Sequence, residues 1–215
     1  MFSTENLVNY EPTNETSKYL AGGIHENVII SGAKFDKTPN NNLFIELTFD
    51  KDGQVVKHTE WEPTRRPMDD DATFQKKVKN QILRILQILK CYLPEEQLIF
   101  KSTNFQELAL WVTSILNNVA RTEALNKPVR LKVVYNDKGY TTLPNYTKFQ
   151  FIEPMDVEKS KIFEIKNIDV FERPQLGDKE VVQDNPFEAI AAAADANQNQ
   201  TMPFGQGGDD MPMPY

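Results

Sequence analysis

A run with strand periodicity at 43–49, followed by a tight-turn sequence and a return segment, constrains the fold of residues 43–61 most strongly. In 43–49 (LFIELTF), every second residue is apolar, and these residues share one side of an extended chain. This is the period of a half-buried β-strand. The sequence Asp50-Lys51-Asp52-Gly53 is typical of a hairpin turn, in which glycine supplies a positive φ. The return strand is 55–61 (VVKHTEW), and a β-rich run, 26–35 (ENVIISGAKF), precedes both. These segments predict a three-stranded meander.

Two amphipathic helices are predicted after the meander. The first, roughly 72–92, follows three aspartates at 69–71, whose carboxylates can cap and favour a helix N-terminus. The second begins near Thr103 and Asn104, where both positions have capping-box spacing, and ends before Pro128. The apolar stripe of the first helix consists of Phe74, Val78, Ile82, Ile85 and Leu89.

Strand patterns resume after the helices. The segments 129–135 (VRLKVVY) and 148–153 (KFQFIE) are predicted strands joined by a polar-aromatic loop, and 162–171 (IFEIKNIDVF) is predicted as an edge strand. A meander, a helical insertion and closing strands follow the order of an OB-fold, a five-stranded Greek-key barrel. The predicted fold is therefore mostly β, OB-fold-like, with a two-helix insertion. A generic α+β sheet with two helices on one face is the structural alternative.

Composition divides the chain into three predicted parts. Residues 1–22 show no sustained period and are predicted to form an N-terminal arm, and 23–174 form the barrel domain. After Pro174 the chain becomes acidic and low in complexity, so 175–215 is predicted to be a flexible, disordered C-terminal tail.

The cysteine and histidine content argues against several protein classes. A single cysteine, Cys91, precludes an intrachain disulfide and a cysteine zinc site. His25 and His58 alone leave little room for a histidine metal site, so neither a metal nor a cofactor is expected. No apolar run approaches the roughly 20 residues of a membrane span, and the polar N-terminus resembles neither a signal nor a transit peptide. We therefore expect a cytoplasmic protein without a membrane partner.

The net charge of −7 is distributed unevenly. Residues 175–215 contain seven acids and one lysine, whereas 65–148 contains fourteen Lys and Arg residues and eight acids. The negative net charge argues against a polyanionic partner, but local charge governs binding. The basic middle of the chain is therefore compatible with such a partner.

Catalytic motifs are absent from the sequence. There is no Walker A sequence, GxGxxG, HExxH or GxSxG, so we do not expect an enzyme. A metal-dependent nuclease cluster formed by the aspartates at 69–71 with Glu60 and Glu62 is an alternative, although helix capping explains the aspartates without it. In its helix, Cys91 is predicted to be a small buried hydrophobe rather than half of a thiol dyad.

Basic and aromatic residues coincide in the predicted strands and in the loop between the last two barrel strands. A protein that binds single strands needs cations for phosphates and flat side chains on which bases stack. Lys57 and Trp61 share one face of the third strand, and Arg130 and Lys132 share the outer face of the fourth. Taken singly, each aromatic residue could instead belong to the core. The candidate residues for binding single-stranded DNA are Lys34, Lys57, Trp61, Arg65, Arg66, Arg130, Lys132, Lys138, Tyr140, Tyr146 and Lys148.

The end of the tail joins a flexible spacer, two carboxylates and a proline-aromatic pair. A partner with an apolar slot and a basic rim could hold the terminal ring and pair with the carboxylates. A functionless acidic tail is the alternative. The predicted partner-binding tip consists of Asp209, Asp210, Met211, Pro212, Met213, Pro214 and Tyr215.

These residues resemble a known family. The tip is similar to that of bacterial single-stranded DNA-binding proteins, which end in aspartates, an apolar residue, proline and phenylalanine. The body, in GGIHENVIISGAKFD, NLFIELTF, HTEWEP and KGYTTLPNYTKFQFIEP, resembles single-stranded DNA-binding proteins of tailed bacteriophages over about 22–155. The two-helix insertion departs from the bacterial type.

The resemblance implies an OB-fold body that coats single-stranded DNA without sequence preference. It also implies a tail that recruits replication or recombination enzymes and shields the basic groove, and a host-cell cytoplasmic location if the chain is phage-encoded. The expected function is non-catalytic binding of single-stranded DNA in replication, recombination and repair, with self-association left open. The alternative is a protein–protein adaptor or virion component that does not bind nucleic acid.

Overall fold

The computed structural model describes residues 18–175, which form a mixed α/β fold with a six-stranded antiparallel sheet and two helices. Predictions for the tail, its tip and most of the arm lie outside these residues. A 3₁₀ turn at Glu95–Gln97 separates the helices. The strands and helices are β1 (Gly23–Lys37), β2 (Leu43–Lys51), β3 (Gln54–Trp61), α1 (Asp71–Leu89), α2 (Phe105–Arg121), β4 (Val129–Tyr135), β5 (Thr141–Thr142) and β6 (Ile152–Pro154).

The predicted meander is confirmed. β1 pairs with β2 and β2 pairs with β3, both antiparallel. Asp52 and Gly53 both have positive φ, and Gly53 N–H donates to the Asp50 carboxylate at 3.3 Å. Ordered pairing begins before β1, because Leu20 N–H donates to the Val55 carbonyl at 2.9 Å and its side chain is buried. Residues 18–20, assigned by sequence to the arm, therefore contact the sheet.

Strand β1 is shared between two partners. Its first half pairs with β4 and its second half with β2, and irregular register near residues 28–31 separates the halves. Beyond the end of β4, side-chain amides bond the free edge of β1: Asn126 bonds the backbone N–H and C=O of Ile30, and Asn117 bonds those of Ala33. These amides satisfy backbone groups that an exposed sheet edge would leave open for pairing.

The strand order is β3-β2-β1-β4-β5, with β6 also paired to β4. Among the described residues no backbone ladder joins β3 to β5, so closure of the predicted five-stranded barrel is not detected. The two strands nevertheless approach each other, since His58 Nδ1 lies 3.0 Å from Thr142 Oγ1.

The predictions for the last strands need correction. A two-residue strand, β5, lies in the segment predicted as a loop, and β6 covers only the end of the strand predicted at 148–153. The predicted edge strand at 162–171 is wrong, because the chain turns there. Asn167 has a φ of 68°, and the backbone N–H groups of Ile168 and Asp169 both donate to the Ile165 carbonyl.

Both helices begin where side chains cap them. Asp70 caps α1 by accepting from Thr73 N–H at 2.7 Å, and Asn104 caps α2 by accepting from Gln106 N–H at 2.8 Å. In α1 only Ile85 and Leu89 of the predicted stripe are buried; Phe74 and Val78 are half-buried and Ile82 is exposed. α2 packs against β1. Neither described helix is long and apolar enough to cross a membrane.

Candidate nucleic-acid interface

Nine residues of the meander lie on the side of the sheet opposite the core. Their β2 neighbours Ile45, Leu47 and Phe49 point into the core, and strand alternation puts the intervening side chains on the other side. The register aligns them in three rows across β1, β2 and β3. We call this surface the outer β1–β3 face; its rows are Asp36–Phe44–Trp61, Lys34–Glu46–Thr59 and Gly32–Thr48–Lys57.

An aromatic pair occupies one end of this face. The ring centroids of Phe44 and Trp61 are 5.1 Å apart with planes inclined at 49°. Phe44 is buried, whereas Trp61 is 38% exposed, so the indole rests on Phe44 and keeps part of its surface in solvent. The Trp61 carbonyl accepts from the Gln81 amide of α1 at 2.7 Å, which fixes the backbone beneath the ring. A half-exposed, supported indole is suited to stacking against a base.

The two lysines of the face are each paired with an acid. Lys34 lies 2.5 Å from Asp36, and Lys57 lies 3.1 Å from Glu46. Alternation correctly predicts that Lys57 and Trp61 share a face, but it does not show that the face is balanced in charge. The pair of Lys34 with Asp36 is partly exposed on both sides, and such pairs contribute only about 0–1 kcal/mol, so a phosphate can compete for Lys34. The Glu46 side chain is only 10% exposed, whereas that of Lys57 is 37% exposed, so Lys57 can contact a phosphate from its exposed side while it stays bonded to Glu46.

Arg65 and Arg66 follow the Trp61 end of the face and are exposed. The Arg65 guanidinium donates to Asp71 and lies 5.2 Å from the centroid of the Phe74 ring. The backbone N–H of Arg66 donates to Asp69 at 2.9 Å, which orders the segment between β3 and α1. The aspartates at 69–71 are thus engaged in capping and ion pairs, and within residues 18–175 no group of His, Cys, Asp or Glu side chains could hold a metal ion.

The β4 candidates are less accessible than predicted. Lys132 shares the side of β4 opposite the core with Arg130, as predicted, but this side is covered and Lys132 is wholly buried, so its predicted role in binding DNA needs correction. Its ammonium donates to Asp169 at 2.7 Å, to the Tyr146 hydroxyl at 2.8 Å and to the Phe163 carbonyl at 2.5 Å. Lys132 is buried because the segment after β6 folds back over β4. A phosphate cannot reach Lys132 in this arrangement.

Arg130 is held by two glutamates. It donates to Glu26 and to the cross-strand neighbour Glu153, and its side chain is only 15% exposed. Burial alone would raise the pKa of Glu153, but hydrogen bonds from the Ser160 side chain, the Lys161 backbone and Arg130 lower it below its usual range. The arrangement neutralises Arg130 and fastens β6 to β4.

The remaining candidates divide between an exposed hairpin and the segment after it. Lys138 and Tyr140 are exposed in the β4–β5 hairpin, which is ordered by the Asn136 side chain accepting from both of their backbone N–H groups at 3.0 Å. Lys148 is exposed beside the Phe149 ring. Tyr146 donates to Asp169 at 3.0 Å, and burial and this carboxylate both raise the pKa of its phenol. Lys138, Tyr140 and Lys148 can therefore contact a ligand, whereas the Tyr146 hydroxyl is already engaged.

A buried polar network joins this segment to β3. Glu60 accepts from Arg84 at 2.6 and 2.7 Å, and the Arg84 guanidinium also contacts the Asn145 carbonyl at 3.4 Å. The His58–Thr142 contact places the end of β5 beside β3, and Arg84 of α1 joins the Asn145 carbonyl to Glu60. Burial would raise the pKa of Glu60, but hydrogen bonds from Arg84 and His58 lower it to about 2.

Sequence reasoning missed this network, although a signal exists. His58 and Glu60 alternate with Lys57 and Trp61, so they occupy core-facing positions after Val56. Polar residues at such positions indicate buried hydrogen bonds. The sequence reasoning also did not predict that the Phe44 ring packs against Trp61.

The chain matches no protein-family model, no curated protein and no solved structure in the three comparisons.

Proposed function

We propose that this chain is a non-catalytic protein that binds single-stranded DNA and coats it during replication, recombination and repair. The observation that carries the proposal is the shared position of Lys34, Lys57 and Trp61 on the outer β1–β3 face. Cations and an exposed aromatic ring on one sheet surface are the two elements that recognition of single strands requires. Arg65 and Arg66 extend the positive charge beyond the aromatic end.

We also propose that the sheet works as an OB-type barrel. Two features support this: β1 pairs with both β2 and β4, and Thr142 of β5 contacts His58 of β3. In an OB-fold, ligands bind across the central strands and the adjoining loops. The outer β1–β3 face and the hairpin with Lys138 and Tyr140 then form one binding surface.

The acidic tip completes the proposal. Asp209–Tyr215 joins two carboxylates to apolar residues and a terminal aromatic ring, which suits a partner with an apolar slot and a basic rim. We propose that the tip recruits replication or recombination proteins to the coated strand.

The experiment compares two sets of substitutions in the full-length chain. The first combines Lys34→Gln, Lys57→Gln and Trp61→Ala on the outer β1–β3 face. The matched control combines Lys76→Gln, Lys79→Gln and Leu110→Ala, three exposed helix positions. Fluorescence anisotropy with labelled oligo(dT) is expected to show at least about tenfold weaker binding for the first set, from one lost stack and two lost cations, and near wild-type binding for the control. Equal affinity of both sets would refute the proposed surface.

A protein–protein adaptor is the second candidate function. It is favoured by an apolar groove of about 510 Å³ between α1 and the start of α2, lined by Phe74, Ile82, Phe105 and Trp111 among others. The acidic partners of Lys34 and Lys57 also favour it. An adaptor would not bind oligo(dT), or would bind it without salt dependence.

A further inference from the structure

A second cavity, of about 330 Å³, opens on the side of β4 that faces away from the core. Its lining comes from three segments that the chain folds together: the end of β4, the segment 144–146, and the turn 168–169. The lining residues are Val134, Pro144, Asn145, Tyr146, Ile168 and Asp169.

Apolar groups form the walls of this cavity. Val134 lies on the same side of β4 as Lys132, and Pro144 and Ile168 line the cavity with it. Ile168 is 56% exposed at the turn that the left-handed Asn167 makes, so a large apolar side chain stands at the opening. Walls of this kind suit a flat, largely apolar ring.

The charge inside the cavity is already neutralised. The Asp169 carboxylate accepts from Lys132 at 2.7 Å, from the Ile165 backbone at 2.8 Å and from the Tyr146 hydroxyl at 3.0 Å. Because Lys132 is committed to this carboxylate, the cavity offers no free cation to a phosphate. An uncharged ring is therefore favoured over an anion.

One polar group remains available. The side-chain amide of Asn145 makes no hydrogen bond to any residue between 18 and 175, and Asn145 is exposed. An amide supplies one acceptor and two donors, which matches the hydrogen-bonding edge of a nucleobase.

Hydrogen bonds connect the cavity to the elements of the candidate interface. The Asn145 carbonyl and Glu60 share the Arg84 guanidinium, and Glu60 immediately precedes Trp61 in β3. The turn with the exposed Lys138 and Tyr140 follows the end of β4, two residues after Val134.

We propose that this cavity is a nucleobase pocket, in which one base of the bound single strand inserts between Pro144 and Ile168 and hydrogen-bonds to the Asn145 amide. The proposal rests on the proposed function and adds to it a site for a base beside the end of β4. The base comes from a bound strand rather than from a free nucleotide, because the described residues of the cavity offer no free cation for the phosphate of a nucleotide.

The test uses two pocket variants, Asn145→Ala and Ile168→Ala, with Asn118→Ala and Leu110→Ala as matched controls at exposed positions of α2. Each pocket variant is expected to bind oligo(dT) about three- to tenfold more weakly, as one lost hydrogen bond or wall contact predicts. Binding to an oligomer of abasic sites is expected to stay unchanged, because the phosphates remain. A purely structural role would weaken binding to both ligands.

Photo-crosslinking with a strand that carries 4-thiothymidine locates the base independently. Adducts on 144–146 or 168–169 are expected. If wild-type protein binds oligo(dT) but neither variant differs from its control, the pocket is refuted and the proposed function stands. If the wild-type protein binds no single-stranded DNA, both the pocket and the proposed function are refuted. Binding of thymidine monophosphate that depends on Asn145 while oligo(dT) binding does not would indicate a mononucleotide site and overturn the proposal.

Discussion

Arg84 of α1 and Glu60 of β3 form a two-pronged ion pair, with Nε–Oε1 and Nη2–Oε2 distances of 2.6 and 2.7 Å. Both side chains are largely buried, and the same carboxylate accepts from Gln81 at 3.2 Å and from His58 at 3.1 Å. The pair connects the inserted helix to the strand that ends in Trp61. It therefore fixes the aromatic end of the candidate interface as well as the fold.

This pair predicts a specific dependence of stability on pH. The folded state holds the pKa of Glu60 at about 2, below its ordinary value of 4.5. When folding lowers a pKa, the resulting stability is fully present above the pKa of the unfolded chain and is lost as the pH falls to the pKa of the folded protein. For Glu60 this loss amounts to up to about 3 kcal/mol between pH 4.5 and 2.

The substitution Glu60→Gln tests that dependence by denaturant unfolding. At neutral pH we expect a loss of about 3–5 kcal/mol in the free energy of unfolding, because Arg84 is left buried without its partner. The difference from wild type should then shrink as the solution is acidified. The exposed control Glu158→Gln should behave like wild type, and a Glu60→Gln difference that is constant with pH would contradict the account.

Trp61→Ala is expected to weaken binding of oligo(dT) by about 1–3 kcal/mol, the usual contribution of one base–aromatic stack. Trp61→Phe keeps an aromatic surface and should lose less. Isothermal titration calorimetry of both variants provides the measurement. Equal losses in the two variants would indicate that the indole supports the strand backbone rather than stacking on a base.

The variants of Lys57 and Lys132 should differ in their salt dependence. Lys57→Gln removes a partly exposed cation of the outer β1–β3 face, so the slope of log K against log salt should fall by about 0.7, the value for one single-strand phosphate contact. Its melting temperature should also fall, because the Glu46 side chain is only 10% exposed and is left without its cation.

Lys132→Met should leave the salt slope unchanged but lower the melting temperature, because Asp169 would remain buried without its cation. Salt titrations and thermal melts of the two variants check both expectations. A reduced slope in Lys132→Met would mean that the ammonium leaves Asp169 and reaches phosphate.

Cys91 should be unreactive in the folded protein. Burial raises the pKa of its thiol from 9.0 to about 12, so the thiolate fraction falls roughly a thousandfold. Ellman's reagent at pH 8 should modify Cys91 only after unfolding in guanidinium. Rapid modification of native protein would show that the turn after α1, which contains Cys91, opens locally.

The sequence predicted those elements whose determinants are local. Alternation at 43–49, the Asp52-Gly53 turn and the caps Asp70 and Asn104 depend on neighbouring residues only, and each is confirmed. The strand prediction for 162–171 fails because this segment turns and bonds the buried Lys132 through the Phe163 carbonyl and the Asp169 carboxylate, 31 and 37 positions away, and no periodicity encodes such contacts.

The candidate site was predictable to a similar extent. Alternation identifies which residues share the face of Lys57 and Trp61, but it cannot show that Glu46 and Asp36 pair with the lysines there. On β4, alternation puts Arg130 and Lys132 on one side of the strand, and only the tertiary fold shows that the segment after β6 covers that side. Burial by a distant segment is the physical reason that this part of the prediction failed.

The most direct test of the account is the affinity of the full-length protein for oligo(dT) over a series of salt concentrations, with a duplex of the same length as competitor. We predict that log K falls linearly with log salt, with a slope of about −0.7 for each phosphate contacted, and that the duplex competes weakly because its stacked bases cannot reach Trp61. No binding, or binding that salt does not weaken, would contradict the account and favour the adaptor.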